Sequence, residues 1–289
     1  MVILTHKYGQ LGNRLLLISH FVANATEHHY KLIISNFGDY IDFFDTEEFK
    51  RLKKFNIVLL TYGVSGQIQL LYYRILTSFI YRYSNSHVIR SAFKSNSGEI
   101  SDFPIGSTEF LDLAKEKMVV CEGFAFRDFK AVKKHYPLIR KLFTPKPVYL
   151  KRSAKLVADI RKNFDVVIGV HIRKSDYKLF EKGKYYFENK VYLNNMNKLK
   201  EELIEKRQTC AFILCSDESV QIDDFSGLSV FGTSKIMIED LMILAKCDFI
   251  IGPPSSFSQW ASFYGETPLG VIKNDLDLVI SSDYKVVDI

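Results

Sequence analysis

The run Gly169-Val170-His171-Ile172-Arg173-Lys174-Ser175-Asp176 sets an imidazole, a guanidinium, an amine, a hydroxyl and a carboxylate directly after a β-branched apolar stretch, Val166 to Val170. Arginine offers a planar fork of donors that matches phosphate, and it keeps its charge throughout the physiological range. If the strand continues, His171 and Arg173 alternate onto one face. The chemistry indicated is anion binding. The plainer reading, an Arg173–Asp176 salt bridge at a strand end, is the weaker one, because solubility alone does not call for five polar groups there.

Three further groups have the same placement. Gly9-Gln10-Leu11-Gly12-Asn13-Arg14 follows a short apolar run. Its glycines allow close backbone approach, and Asn13 is placed to cap the following helix, whose free N–H groups favour an anion. Taken alone, an ordinary strand-to-helix turn explains it better. Cys215-Ser216-Asp217-Glu218 closes another strand. Ser216 and Asp217 suit either a nucleoside base or ribose, or a helix N-cap. Gly252-Pro253-Pro254-Ser255-Ser256-Phe257 is a rigid turn opening a helix, with Ser255 and Ser256 presenting hydroxyls and N–H groups suited to phosphate.

Other chemistries find less support. There is no Gly-x-x-x-x-Gly-Lys-[Ser/Thr] loop and no Gly-x-Ser-x-Gly elbow. His28 and His29 are neighbours and do not share a helix face, which argues against a metal site there. Asp275-Leu276-Asp277 has the spacing of a metal-binding Asp-x-Asp but reads as a solvated loop, so no metal is expected.

These groups must be held by alternating strands and helices. Val2 to Thr5, a Gly-containing turn, a helical stretch from Leu15 to Glu27 and an apolar run from Lys31 to Ser35 begin a Rossmann-like layer. In that helical stretch Leu16, Ser19, His20, Ala23 and Thr26 change faces at helical spacing. Ile57 to Thr61 and Met118 to Cys121 read as strands, Ile68 to Tyr83 as an amphipathic helix and Ser91 to Ser101 as a loop. Ala131 to Phe143 is helical, and Thr144-Pro145-Lys146-Pro147 is the densest proline cluster, hence the candidate boundary between domains 1–147 and 148–289. Beyond a helix from Tyr149 to Asn163, strands are expected at 166–170, 211–214, 249–251 and 269–272. The helices between and after them run from Tyr192 to Lys206, Lys235 to Ala245 and Ser256 to Phe263. In an open parallel sheet, ligands sit outside the carboxyl ends of the strands, where the four groups fall.

The bulk properties agree. A chain of 289 residues, 47% hydrophobic and 25% charged, buries a sizeable core and is not disordered. The net charge of +6 suits an anionic ligand and is too dispersed to demand nucleic acid. Cys121, Cys210, Cys215 and Cys247 have no metal-hook spacing and read as buried free thiols of a reducing compartment. The N-terminus does not read as a signal peptide, and no apolar run reaches the ~18 residues of a spanning helix, so a cytoplasmic protein is expected. Helix 68–83 reads as core-facing; docking on a membrane surface is its minority reading, and peripheral membrane contact is kept as an expectation on that ground.

Together the groups resemble the α-1,2-fucosyltransferase family, which uses GDP-fucose. Gly9-Gln10-Leu11-Gly12-Asn13 is similar to the family's N-terminal Gly-x-Leu-Gly-Asn-Gln, with Arg14 for Gln. Glu122-Gly123-Phe124 and the segment His135 to Phe143 resemble a Gly-aromatic and an Ile-Arg-x-x-Phe motif. Val170 to Tyr177 resembles His-x-Arg-Arg-Gly-Asp, with Lys174 for the second Arg and Ser175 for Gly. Phe212 to Asp217 looks like the strand ending in Ser-Asp. Glu239 to Trp260 is similar to the last motif, with Pro254 for Asn and Gln259 for an aromatic. The likeness covers most of the chain in order, apart from about Gly38 to Phe110.

The resemblance implies an α/β fold of GT-B type, two Rossmann-like domains facing a cleft, with the acceptor on the N-terminal side and the nucleotide sugar on the C-terminal side. It implies inversion at the anomeric carbon without a metal or other cofactor, GDP-fucose being the donor substrate. Arg173 would pair with the diphosphate as GDP leaves. Ser255, Ser256 and Phe257 would line the phosphate and sugar pocket, His171 and Asp217 would face the nucleoside or diphosphate, and Asn13, beside Gly12, would reach the diphosphate. Ser216 is carried as a donor-binding residue. Asp176 is the candidate base and equally a brace for Arg173. The partners expected are a nucleotide-sugar donor and a glycan or lipid-linked oligosaccharide acceptor, with galactose the expected site of α-1,2 transfer. A different nucleotide sugar, or a non-catalytic nucleotide-binding protein on the same fold, are the competing readings.

Overall fold

Short apolar runs separated by glycine turns pair side by side here, because each run is too apolar to face water on either side. The computed structural model describes residues 1–5, 7–59, 86–91, 102–276 and 278–289, plus Ile75, Ser78 and Arg82. Apart from those three positions, the expected helix 68–83 lies outside the described residues. So do most of the expected loop 91–101, His6 and Asp277. The chain divides into two units, Met1–Thr144 and Pro145–Ile289.

In the first unit, β1 (Val2–Leu4), β2 (Leu32–Ile34), β3 (Ile57–Leu59), β4 (Ser86–Ser91) and β6 (Met118–Gly123) form a parallel sheet in the order β3-β2-β1-β6-β4. A two-stranded pair, β5 (Phe103–Pro104) and β7 (Phe126–Arg127), stands apart from it. Among the described residues the unit's helices include α1 (Leu11–His28), α2 (Thr46–Arg51), α3 (Thr108–Glu116), α4 (Phe129–Lys134) and α5 (Tyr136–Leu142).

Helix α1 starts four residues earlier than its periodicity suggests and is buried almost all round. Its polar positions do not turn to water. Ser19 donates to Leu15 O at 2.7 Å, His20 Nδ1 accepts from the Asp128 amide at 2.9 Å, and Asn24 donates to the Asp128 carboxylate at 2.8 Å. These bonds offset part of the cost of burial, although His20 Nε2, Asn24 Oδ1 and Thr26 Oγ1 are buried without a partner.

In the second unit, β8 (Val166–Ile172), β9 (Cys210–Ser216), β10 (Val230–Gly232), β11 (Phe249–Gly252) and β12 (Leu269–Val271) form a parallel sheet in the order β10-β9-β8-β11-β12. Its helices are α6 (Pro147–Ile160), α7 (Asn189–Glu205), α8 (Met237–Leu244) and α9 (Ser256–Gly265). All seven residues of β8 are buried. Val166, Ile168, Val170 and Ile172 pack with Tyr192, Met196 and Leu199 of α7. On the opposite face, α8 packs so close at Gly169 that a Cβ there would meet Leu244.

All four cysteines are free; Cys121, Cys215 and Cys247 are buried and Cys210 is half-buried. Among the described residues no helix is long and apolar enough to cross a membrane.

Candidate functional site

From β8 the chain runs to β9 and β10 on one side, then returns to β11 and β12 on the other. Connections therefore leave β8 and β11 in opposite directions, which opens a crevice at their carboxyl ends. Two segments flank it: 171–177 after β8 and 253–257 after β11.

Gly252 lets the two strand ends close up. A Cβ on it would lie 2.6 Å from the His171 carbonyl oxygen. The His171 side chain is buried, with its ring 5.2 Å from the ring of Phe257. Burial first, and the neighbouring Arg173 charge second, hold its pKa down to about 3, so the imidazole is neutral. Its Nδ1 is buried without a hydrogen-bond partner.

Arg173 stands one residue past the strand. Its Nη2 pairs with Asp176 at 2.7 Å and its Nη1 with Asp217 at 3.0 Å. The guanidinium carbon lies 5.7 Å from the Tyr177 ring centroid. Asp217 also accepts from the Lys174 amide at 2.9 Å and from the Ser175 hydroxyl. One carboxylate thus holds three successive residues. It forms no N-cap: Ser216 accepts only the Glu218 amide, at 3.3 Å, and the chain turns there.

Lys174 departs from the phosphate-facing run. Its amine points inward, donates to Phe187 O at 2.6 Å and lies 4.9 Å from the Tyr186 ring centroid. Alternation decides this, since residues either side of Arg173 face the other way.

Across the crevice, Tyr177 donates to Pro254 O at 2.6 Å, tying the two flanking segments together. Ser255 is the N-cap of α9 and accepts the Phe257 amide at 3.3 Å. Ser256 and Phe257 form the first turn, where the helix end favours negative charge. The structure therefore brings His171, Arg173, Asp176, Asp217, Ser255, Ser256 and Phe257 to one crevice, with Ser216 beside Asp217.

Gly12 and Asn13 belong to the first unit, and Asn13 corrects its expected role. Gln10 occupies the N-cap position of α1, and Asn13 lies inside the first turn. Its amide fills the space a Cβ on Gly9 would need, and Gly9 has φ +62°. Asn13 thus packs on the turn that precedes the helix it was expected to cap. Arg14 is buried, bonded to Asn36 O at 2.8 Å and to Asp39 at 2.9 Å, which staples this turn to the chain after β2.

Asp240 was not singled out from the sequence. It is buried in the first turn of α8, with Oδ1 unpartnered and its pKa pushed up to about 6, chiefly by burial. Its backbone carbonyl meets the Cys215 thiol at the end of β9. The signal was an Asp inside the apolar run Ile238 to Ala245.

An arginine fixed by carboxylates, a helix N-terminus and a neutral imidazole make a place for an anionic leaving group. Residues 147–274 match the model of glycosyl transferase family 11. Comparison with curated proteins gave no match. Among solved structures, the chain resembles a mutant of FUT1 from Arabidopsis thaliana in complex with GDP, with a TM-score of 0.62 at 11% identity, over 98% of this chain and 72% of that one. It resembles the NodZ α-1,6-fucosyltransferase from Bradyrhizobium co-crystallised with GDP (TM-score 0.54, 14% identity, 94% and 98% covered). It also resembles POFUT1 in complex with GDP (TM-score 0.53, 11% identity, 93% and 97% covered). The chain is thus an α/β protein of GT-B type that shares its fold with these structures, and its residues 147–274 match the glycosyl transferase family 11 model.

Proposed function

We propose that the protein transfers fucose from GDP-fucose to a hydroxyl of a glycan acceptor, with inversion and without a metal. The observation that carries this is Arg173, fixed at the crevice between β8 and β11 inside the segment that matches the family 11 model. The fold likeness to structures holding GDP supports the choice of donor.

The acceptor oxygen attacks the anomeric carbon as the bond from that carbon to the diphosphate breaks. Charge builds on the leaving oxygen, and the Arg173 guanidinium and the N-terminus of α9 stabilise it, as a divalent cation does in other enzymes. The acceptor hydroxyl gives its proton to a carboxylate within reach, and Asp176 is that carboxylate. Diphosphate oxygens take over the Nη2 donor that Asp176 holds at 2.7 Å, which frees Asp176 for this task. Asp217 keeps Nη1 and so keeps the guanidinium in place. Ser255, Ser256 and Phe257 line the phosphate and sugar side, His171 and Ser216 the nucleotide side.

The finer reading is an α-1,2 linkage to galactose, made in the cytoplasm on a free or lipid-linked oligosaccharide. Mass spectrometry of GDP-fucose mixed with a galactose-terminated oligosaccharide tests it. The expected product gains one deoxyhexose on galactose O2, and Arg173→Ala reduces its rate by roughly a hundredfold or more. An Arg173→Ala protein that stays folded and transfers fucose at the wild-type rate overturns the mechanism. A thermal shift with UDP and none with GDP overturns the donor.

A further inference from the structure

A loop stands at the lip of the crevice, outside the residues proposed to hold the donor. Between Arg173 and the start of α7, the chain makes a loop in which five of the eleven residues from Tyr177 to Phe187 are Tyr or Phe, against 14% aromatic in the whole chain. Tyr177 and Phe187 are buried and Tyr185 packs on the core of the second unit, which leaves the tip, Leu179 and Phe180, as the open apolar part. Loops that face water are normally polar, so an apolar tip asks for a partner. Leu179 is 87% exposed and Phe180 39%. They stand next to Tyr177, whose hydroxyl is bonded to Pro254 O, so the apolar tip is anchored at the edge of the proposed donor site.

The tip is held in shape by its own backbone. The Leu179, Lys182, Lys184 and Tyr186 amides bond to the carbonyls of Asp176, Leu179, Glu181 and Gly183 at 3.0–3.3 Å. Glu181, Lys182 and Gly183 are all left-handed, with φ of 46°, 60° and 79°. Two consecutive non-glycine residues in that region carry a steric penalty, and such strain persists where the surroundings fix it. The Phe180 ring stacks on Tyr177 at 5.3 Å between centroids and 25° between planes. A rigid, self-bonded loop that keeps a leucine and a phenylalanine in water is arranged to meet something flat and partly apolar.

We infer that this loop is an acceptor subsite, in which Leu179 and Phe180 receive the C–H face of a pyranose ring of the glycan. The inference rests on the glycosyltransferase reading and adds where the acceptor sits. A pyranose has one face of C–H bonds and a rim of hydroxyls. The aromatic tip matches the face, and the charged rim of Lys178, Glu181 and Lys182 supplies donors and acceptors for the hydroxyls. The position, following directly on the Arg173–Asp176 pair, puts a sugar bound there beside the group proposed to take its proton. The family resemblance implies acceptor specificity in the first half of the chain; this loop adds a contribution from the second.

The test is saturation-transfer NMR on the full chain with GDP present, using lactose, N-acetyllactosamine and cellobiose as probes. At least one disaccharide gives signals on its ring C–H protons with the wild type. The Leu179→Ser/Phe180→Ser double variant weakens that binding by roughly tenfold or more. GDP affinity by calorimetry and acceptor-free hydrolysis of GDP-fucose stay at wild-type levels, because neither residue is part of the proposed donor site. Equal sugar binding by the double variant, or no binding by the wild type, overturns the inference. So does a change from dimer to monomer on substitution, which would make the tip a self-interface. Failure of the wild type to transfer fucose while sugar binding remains loop-dependent counts against the donor reading alone.

Discussion

Asp217 Oδ2 lies 3.0 Å from Arg173 Nη1, and the same carboxylate takes the amide of Lys174 at 2.9 Å. The guanidinium is thus tied to the two residues that follow it by one group just past the neighbouring strand. Asp176 holds the other end of the fork at 2.7 Å but is half exposed, whereas Asp217 is largely buried. The two carboxylates therefore do different work: Asp217 positions the arginine and Asp176 competes with the donor for it.

Neutralising them should have opposite effects on GDP binding. Asp176→Asn removes a competing anion, and the Kd for GDP is expected to tighten roughly two- to fivefold while kcat falls. Asp217→Asn loosens the guanidinium, and GDP binding and kcat/KM are expected to fall on the order of tenfold. Calorimetry with GDP, set beside steady-state rates, reads both. Equal weakening by the two variants would contradict the division of roles.

Two buried histidines make the protein sensitive to acid. Burial is the main cause that holds both His20 and His171 down to about 3 from the usual 6.5. A base with a depressed folded pKa contributes its full stability above the unfolded value and loses it as pH falls from about 6.5 toward 3. At pH 5 each is expected to have cost about 2 kcal/mol relative to pH 7.5. Urea midpoints at the two pH values measure the sum, and His171→Gln should remove about half of it.

Asp240 runs the other way. Its folded pKa is raised, chiefly by burial, from 3.8 to about 6. The carboxyl is neutral without penalty below about pH 4, and the penalty for charging it grows up to about pH 6 and then stays constant. Asp240→Asn is expected to stabilise the ligand-free protein at pH 8 by on the order of 2–3 kcal/mol, and not at pH 4. Unfolding followed at both pH values checks this; a gain of the same size at pH 4 would rule out titration as its source.

The backbone approach at Gly252 should tolerate no side chain. Gly252→Ala drives a methyl group into the His171 carbonyl and Cβ. A loss of roughly 1–3 kcal/mol is expected, with weaker GDP binding because His171 and the α9 N-terminus move apart. Gly227→Ala, where nothing lies within 4 Å of the added carbon, controls for removal of a glycine, although its φ of +86° carries a strain of its own.

The sequence conveyed much of this because the second unit is built from continuous apolar strands, and their ends announce themselves by an abrupt change to polar residues. Arg173, Asp217 and Ser255 were found that way. Direction was harder to read. Alternation shows that Lys174 faces away from Arg173, but not that it reaches Phe187, since that depends on a carbonyl thirteen residues away. Asp240 was hidden inside a helix-like apolar run, where an acid reads as a surface residue. In the first unit, β5 and β7 are two residues long, too short for any periodicity. Asn13 was placed one turn too early because α1 begins at Leu11, before its apolar repeat becomes regular.

The pairing of β1 sets a timetable for synthesis. One edge of Val2–Leu4 is covered as soon as Leu32–Ile34 leave the ribosome, but the other waits for Val119–Cys121. At ~5–20 residues per second, that edge stays open for roughly 4–20 s. During that interval an apolar strand with unpaired amides is available to any passing chain. Yield in a heterologous host should therefore depend on growth temperature and on chaperones that bind nascent chains, even for variants whose finished fold is as stable as the parent's.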